Sequence, residues 1–192
     1  MTDPGSYTLD EQEQETAIDL IVITHEHSDH FHVESLKKIL EKNPNASVVT
    51  NTSVGKLLDE QGITHSILED GNSGEFADIY LEAHGNEHAE IYGDFSRVQN
   101  TGYFIGKDLF YPGDSFTNPN KKVEFLALPV LAPWLKIKES IDYAIEVAPR
   151  IAFPVHDWNI KNASFLNKIP PMVLSKNNIE FKILEIGKEE EI

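Results

Sequence analysis

Short apolar runs alternate with longer amphipathic stretches along this chain, and that alternation predicts most of its elements. Ile18-Asp19-Leu20-Ile21-Val22-Ile23 is a β-branched run, the mark of a buried strand. Val33, Leu36, Ile39 and Leu40 then recur at helical spacing and stop before Pro44. Residues 46–50 predict another strand, and residues 52–61 a helix closed by Gly62. The middle changes character. Ser66-Ile67-Leu68, then Gly71-Asn72-Ser73-Gly74, then alternating Ile79, Leu81 and Ala83 predict a β-hairpin. Tyr103-Phe104-Ile105 and Leu109-Phe110-Tyr111, joined by Gly106-Lys107-Asp108, predict a second one. Strand and helix then alternate again: a strand at 123–128, a helix face of Ile137, Ile141, Ala144, Ile145 and Ala148, and a strand at 151–155. An interrupted helix over 165–174, broken by Pro170-Pro171, and a last strand at 179–186 complete the pattern. Residues 1–16 are polar, with a turn at Asp3-Pro4-Gly5, and 188–191 read as a solvated charged tail. The class is α/β: layered sheets covered by helices.

Composition narrows the chemistry. A chain of 192 residues with 40% apolar content predicts one domain over 1–192 with a real core. The formal net charge of −16 repels phosphate backbones, which argues against nucleic acid and anionic membranes as partners. With no cysteine, disulfides, thiolate metal sites and cysteine nucleophiles are excluded. The longest apolar run, 125–135, contains two prolines and is too short to span a bilayer. No signal-like stretch opens the sequence, so a cytoplasmic protein is expected. Its chemistry rests on His, Asp, Glu, Ser, Tyr or a metal.

The informative segment is Thr24-His25-Glu26-His27-Ser28-Asp29-His30-Phe31-His32. Imidazole and carboxylate are the nitrogen and oxygen donors that suit zinc and similar divalent ions. His25 and His27 lie two apart on extended backbone leaving a strand, so both rings can point the same way. Asp29 and His30 fall where the chain turns into a helix and could face a second ion. The competing reading is a surface histidine cluster. Its position between a buried strand and a helix favours a ligand site.

The run His25-Glu26-His27-Ser28-Asp29-His30 resembles the HxHxDH signature of the metallo-β-lactamase superfamily of hydrolases. Four further segments resemble that family in the same order. They are Asp3-Pro4-Gly5, Gly85-Asn86-Glu87-His88-Ala89, the pair Asn100-Thr101-Gly102-Tyr103 and Pro112-Gly113-Asp114-Ser115, and the late segments Leu128 to Trp134 and Phe153-Pro154-Val155-His156-Asp157. The wording is most similar to the small branch that includes L-ascorbate-6-phosphate lactonase. The resemblance implies a four-layer αβ/βα sandwich and two divalent ions, zinc before manganese or iron. One ion would be held by His25, His27 and His88, the other by Asp29, His30 and His156, with Asp114 shared. It implies hydrolysis by a hydroxide bridging the two metals, with Asp29 as ligand and orienting group. The expected substrate is a small ester, above all a lactone or phosphorylated lactone. A phosphodiesterase or nuclease on the same core is the second reading, and a non-catalytic metal-binding remnant the third.

Other residues take lesser roles. His84 competes with His88 as third ligand, and the Gly85 turn and family wording favour His88. His32 reads as a helix-start or pocket-wall residue, and His65 as solvent-facing. Asp3 is a candidate acceptor behind a ligand histidine, and Trp134 a candidate pocket wall. Family members carry a strand or two before the Asp-Pro-Gly turn, whereas Met1 and Thr2 directly precede it here. First strands missing from the sandwich should leave β-edge groups unpaired and an apolar face uncovered, which favours a homo-oligomer.

Overall fold

The computed structural model describes residues 1–93, 95, 97–157, 165–185 and 187–188. A short helix α1 (Leu9–Gln12) precedes β1 (Leu20–Val22), the heart of the predicted first strand. Helix α2 (Val33–Lys42) leads to β2 (Ser47–Thr50), and α3 (Thr52–Glu60) to β3 (Ser66–Ile67). The three strands are parallel, in the order β1-β2-β3. Both helices begin where the sequence supplies a cap: His32 accepts from Ser35 N–H, and Asn51 from Val54 N–H.

The second sheet has seven strands. They are β4 (Ser73–Phe76), β5 (Ile79–His84), β6 (Gly102–Ile105), β7 (Leu109–Tyr111), β8 (Phe125–Pro129), β9 (Ile151–Val155) and β10 (Glu180–Phe181), in the spatial order β10-β9-β8-β7-β6-β5-β4. Helices α4 (Ile137–Val147) and α5 (Ile169–Leu174) accompany its parallel half.

Alternation along the strands builds four layers. Ile21 and Ile23 pack with Leu36, Ile39, Val54 and Leu58 beneath α2 and α3. Leu20, Val22 and Val49 face the opposite way and meet Leu81, Ala83 and Tyr103 of the second sheet. Phe104, Phe110, Leu126 and Leu128 pack against Ile141, Ala144 and Leu174 of the outer helices. Each sheet is therefore buried on both faces, one against helices and one against the other sheet.

Three expectations need correction. The first hairpin turns at Ala77-Asp78, both with positive φ (50° and 60°), and not at Gly71-Asn72. Ser66-Ile67 pairs in parallel with β2 in the other sheet. The sequence hid the turn because neither residue is the glycine or asparagine that left-handed positions favour. The helix predicted over 165–174 starts at Ile169, since Pro170-Pro171 occupy the first positions, where no N–H is needed. The last strand is confined to Glu180–Phe181; of its predicted remainder, residue 186 lies outside the described residues.

The outer edge of β1 is also less open than expected. Met1 C=O accepts from Val22 N–H (3.0 Å), Asp3 N–H donates to Val22 C=O (2.9 Å), and the Met1 amino group donates to Leu20 C=O (2.8 Å). Residues 1–3 thus act as a short strand. The apolar groove beside them is real, with Met1, Ile18, Ile79, Ile105 and Leu109 among its walls. No helix among the described residues is long and apolar enough to cross a membrane.

Candidate metal centre

The site lies where the segments that follow β1, β5, β7 and β9 deliver their residues to one place. Beyond β1 the chain bends sharply, with His30 N–H (2.9 Å) and Phe31 N–H (2.8 Å) both donating to His27 C=O. The Asp3-Pro4-Gly5 turn lies directly on this bend: Ser6 N–H donates to Ser28 C=O (2.9 Å), and His32 N–H to Pro4 C=O (3.0 Å). A Cβ on Gly5 would sit 1.7 Å from the Asp29 carbonyl oxygen, so no other residue fits. Gly113 is as constrained, with φ +63° and Asn100 Oδ1 only 2.4 Å from the position of an added Cβ. Asn100 holds the next residue, accepting from Asp114 N–H (3.0 Å) while donating to Pro112 C=O (2.9 Å). His156 ends β9 in the left-handed region, φ 59°, a strained conformation at a position that carries chemistry.

These loops bring all seven predicted donors together. The rings of His25, His27 and His88 are mutually 4.7–5.0 Å apart between centroids. On the other side, His156 Nε2 is 3.3 Å from Asp29 Oδ2, and His30 Nε2 is 3.8 Å from the same oxygen. Asp114 stands between: Oδ1 is 3.2 Å from His30 Nε2, and Oδ2 is 3.4 Å from both His88 Nε2 and His156 Nε2. His25 Nε2, His30 Nε2, His88 Nε2 and Asp114 Oδ1 are buried without a hydrogen-bond partner. Orphaned donors and acceptors of this kind are costly unless something completes them. A divalent cation fits these four, because each is a nitrogen or oxygen ligand atom at the centre; a fifth such atom, His84 Nε2, lies apart from them.

The far nitrogens explain the orientation of the rings. Nδ1 of His30 meets Asp3 Oδ2 (2.7 Å), Nδ1 of His88 meets Ala89 C=O (2.6 Å), and Nδ1 of His156 meets Leu131 C=O. His25 Nδ1 lies 3.0 Å from Thr24 Oγ1, whose hydroxyl donates to Asp3 Oδ2 (2.7 Å). These partners behind Nδ1 turn each Nε2 inward.

Electrostatics divides the set. Burial drives the His25 imidazole well below its ordinary value, and His30 adds to the effect. Burial also lowers His27, with His88 contributing. Burial opposes a charge on His30, yet Asp114 and Asp3 pull it up to about 10. Burial likewise opposes a charge on Asp114, but His30 and His88 hold its carboxyl well below the carboxylate range. His156 is raised despite burial, mainly by Asp29.

The remaining predicted residues fall into place around this cluster. His84 points elsewhere, against Phe110 (5.7 Å between centroids) and Glu82 (3.4 Å). His32 caps α2. His65 corrects the expectation of a solvent-facing ring: it packs over Gly55, and its Nδ1 meets Ile63 C=O. Trp134 donates its indole N–H to Asp114 Oδ2 (2.8 Å) and lines the adjoining cleft. That cleft, about 220 Å³, has the ligand side chains on one wall and Ile91, Pro133 and Trp134 on another. A second cavity, about 170 Å³, meets it at Asp29 and His156 and is lined by Tyr7, Thr8, Tyr111 and Asp157. Sequence reasoning missed Thr24, Asn100 and Tyr111. Only their places next to recognisable segments could have pointed to them.

Fold and site together define the class: the chain belongs to the beta-lactamase superfamily domain family, whose model matches residues 1–156. It is 34% identical over 159 residues to protein Rv0786c of Mycobacterium tuberculosis, spanning 80% of this chain and 73% of that one. It is 27% identical over 155 residues to the UPF0173 metal-dependent hydrolase Ta0764 of Thermoplasma acidophilum, spanning 74% and 67%. The structure of Igni18, a metallo hydrolase from Ignicoccus hospitalis, shares the fold with a TM-score of 0.71 at 18% identity, covering 88% of this chain and 77% of that one.

Proposed function

We propose that this metal-dependent hydrolase binds two divalent ions, zinc in first place, and cleaves a small ester, above all a lactone with or without a phosphate. His25, His27 and His88 hold one ion, Asp29, His30 and His156 the other, and Asp114 serves both. The observation that carries this reading is the convergence of buried, unpartnered ligand atoms on one point. When bound, such ions lower the pKa of a water towards neutrality and polarise the bond to be broken. Asp29, at the junction of the two cavities, both helps to hold the second ion and orients the attacking water. Ile91, Pro133 and Trp134 supply the wall against which a small substrate lies. The whole chain acts as one hydrolase domain.

The test is elemental analysis of protein purified without chelator, together with turnover of a lactone, its phosphorylated counterpart and an activated phosphodiester. About two ions per chain and lactone cleavage are expected. Cleavage of the phosphodiester alone would replace the substrate class. Two ions with no turnover would make the protein a metal-binding remnant, and failure to take up any metal would remove the site assignment.

A further inference from the structure

We infer that the Tyr111 hydroxyl is a positioning group for the Asp29–His30–His156 half of the centre, acting through Asp3 on His30. The inference rests on the metal-holding role proposed above. Asp3 is the hub. Its Oδ1 accepts from Thr24 N–H (2.7 Å), and its Oδ2 accepts from Thr24 Oγ1 (2.7 Å) and Tyr111 OH (2.8 Å) while meeting His30 Nδ1 (2.7 Å). An Asp3 oxygen lies within 4.8 Å of ligand atoms of His25 and His30, which alone would admit Asp3 as a metal ligand. Four hydrogen bonds to its two oxygens assign it instead to supporting the imidazole.

Thr24 and His30 lie on the first-sheet side of the site, Thr24 tied there through its C=O to Asn51 Nδ2–H (2.8 Å) and Thr101 N–H (3.0 Å), so they cannot join the Asp3 carboxylate directly to β7 of the second sheet. Tyr111 can. It stands on β7 of the seven-stranded sheet, 108 residues from Asp3, with 8% of its surface exposed. Its hydroxyl is therefore a strut between the two sheets that ends on the carboxylate setting the plane of the His30 ring. Removing it leaves Asp3 Oδ2 with Thr24 Oγ1 and His30 Nδ1 alone, and with no tie to β7. Loss of the hydrogen bond directly behind a ligand histidine typically weakens metal binding about 10- to 100-fold, which bounds the effect of removing its support.

The fold provides its own control. Tyr103 on β6 is the direct register partner of Tyr111, is fully buried, and donates its hydroxyl to Leu68 C=O (3.2 Å), away from the centre. The experiment is competition for zinc alone between the protein and a chromogenic chelator. Tyr111→Phe should loosen one of the two ions about tenfold or more and leave the other as in the wild type. Tyr103→Phe should change neither. In an Asp3→Asn background, Tyr111→Phe should add little, because both act on one path. Equal binding by Tyr111→Phe and the wild type would overturn the inference. So would equal loosening by the two phenylalanine variants, or loss of both ions together with a lower melting temperature of the chelated chain, since either marks a general structural role. A wild type that takes up no zinc would overturn the metal reading itself, and the inference with it.

Discussion

The two halves of the centre carry similar ligands but are built differently. In the half made by His25, His27 and His88, the supports behind His25 and His88 are one residue away in the chain: Thr24 Oγ1 and Ala89 C=O. The half made by Asp29, His30 and His156 is supported from a distance, by Asp3 behind His30 and Leu131 C=O behind His156. One half comes with its own local backbone. The other exists only when the turn at Asp3, the strand ending at Tyr111 and the loop at Leu131 are all in place. Distant substitutions should therefore damage the halves unequally, and local ones should not.

The largest effect should erase the comparison altogether. Asp114→Ala removes the carboxylate common to both halves, so metal content should fall towards zero and activity should be lost; retention of two ions would show that the halves are independent. His88→Ala should then empty only the first half, while His84→Ala leaves the metal count unchanged. If His84→Ala were the damaging change, the geometry around Phe110 would misrepresent the third ligand.

Next in size is the support itself. Asp3→Asn keeps the shape of the turn but gives His30 Nδ1 a weaker acceptor, and should loosen the second ion about 10- to 100-fold and the first much less, since Asp3 reaches His25 only through Thr24 Oγ1. Metal titration followed separately for the tight and the weak ion checks this. Equal loosening of both would mean that the two halves share their support.

The sequence made the donors of one short segment legible and the others only through a family likeness. His25 and His27 announce themselves because two-residue spacing on extended backbone is itself a chelating geometry, and Asp29 and His30 follow them where the chain turns into a helix. His88 needed the Gly85 turn and a family likeness to be chosen over His84. Tyr111 was not legible, since a tyrosine in Leu109-Phe110-Tyr111 looks like any strand residue until the register sets it over Asp3. The layers followed from alternation, as Leu20 and Val22 against Ile21 and Ile23 show. The turn at Ala77-Asp78 did not, because its backbone is set by the strands it joins and not by its residue types.

A smaller effect should appear in the chelated protein as pH changes. His30 is raised from 6.5 to about 10 in the folded chain, so its charged form stabilises the fold fully below 6.5, and that contribution is lost as pH rises through 10. Asp114 is depressed, so its contribution is present above its ordinary 3.8 and is lost as pH falls through its folded value. His25 and His27 are lowered, so they disfavour the fold only on the acid side of 6.5 and add no slope above it. The melting temperature should therefore decline as pH is raised from 6.5 towards 10, and Asp3→Asn should flatten the decline. Metal-loaded protein should show less of it, because the ion takes the place of the proton on His30. A chelated chain that became more stable over that range would contradict the pairing of His30 with Asp3 and Asp114.

The smallest effect falls on the residue that touches both halves from outside. Trp134 donates to Asp114 Oδ2, the oxygen that also stands 3.4 Å from His88 Nε2 and His156 Nε2, so its indole helps to orient the carboxylate that both halves share. Trp134→Phe keeps an aromatic wall beside Phe116 and His88 but removes the N–H. Because Trp134 is only half-buried, water can replace the lost donor, and the cost should be about 1 kcal/mol, roughly fivefold in the affinity for metal. Both ions should loosen to the same small extent, in contrast to Asp3→Asn, because Asp114 belongs to both halves. The KM for a small lactone should change less than kcat, since the ring that forms the wall remains. A selective loss of one ion in Trp134→Phe would show that Asp114 serves one half more than the other, and the division drawn between local and distant support would have to pass through that carboxylate.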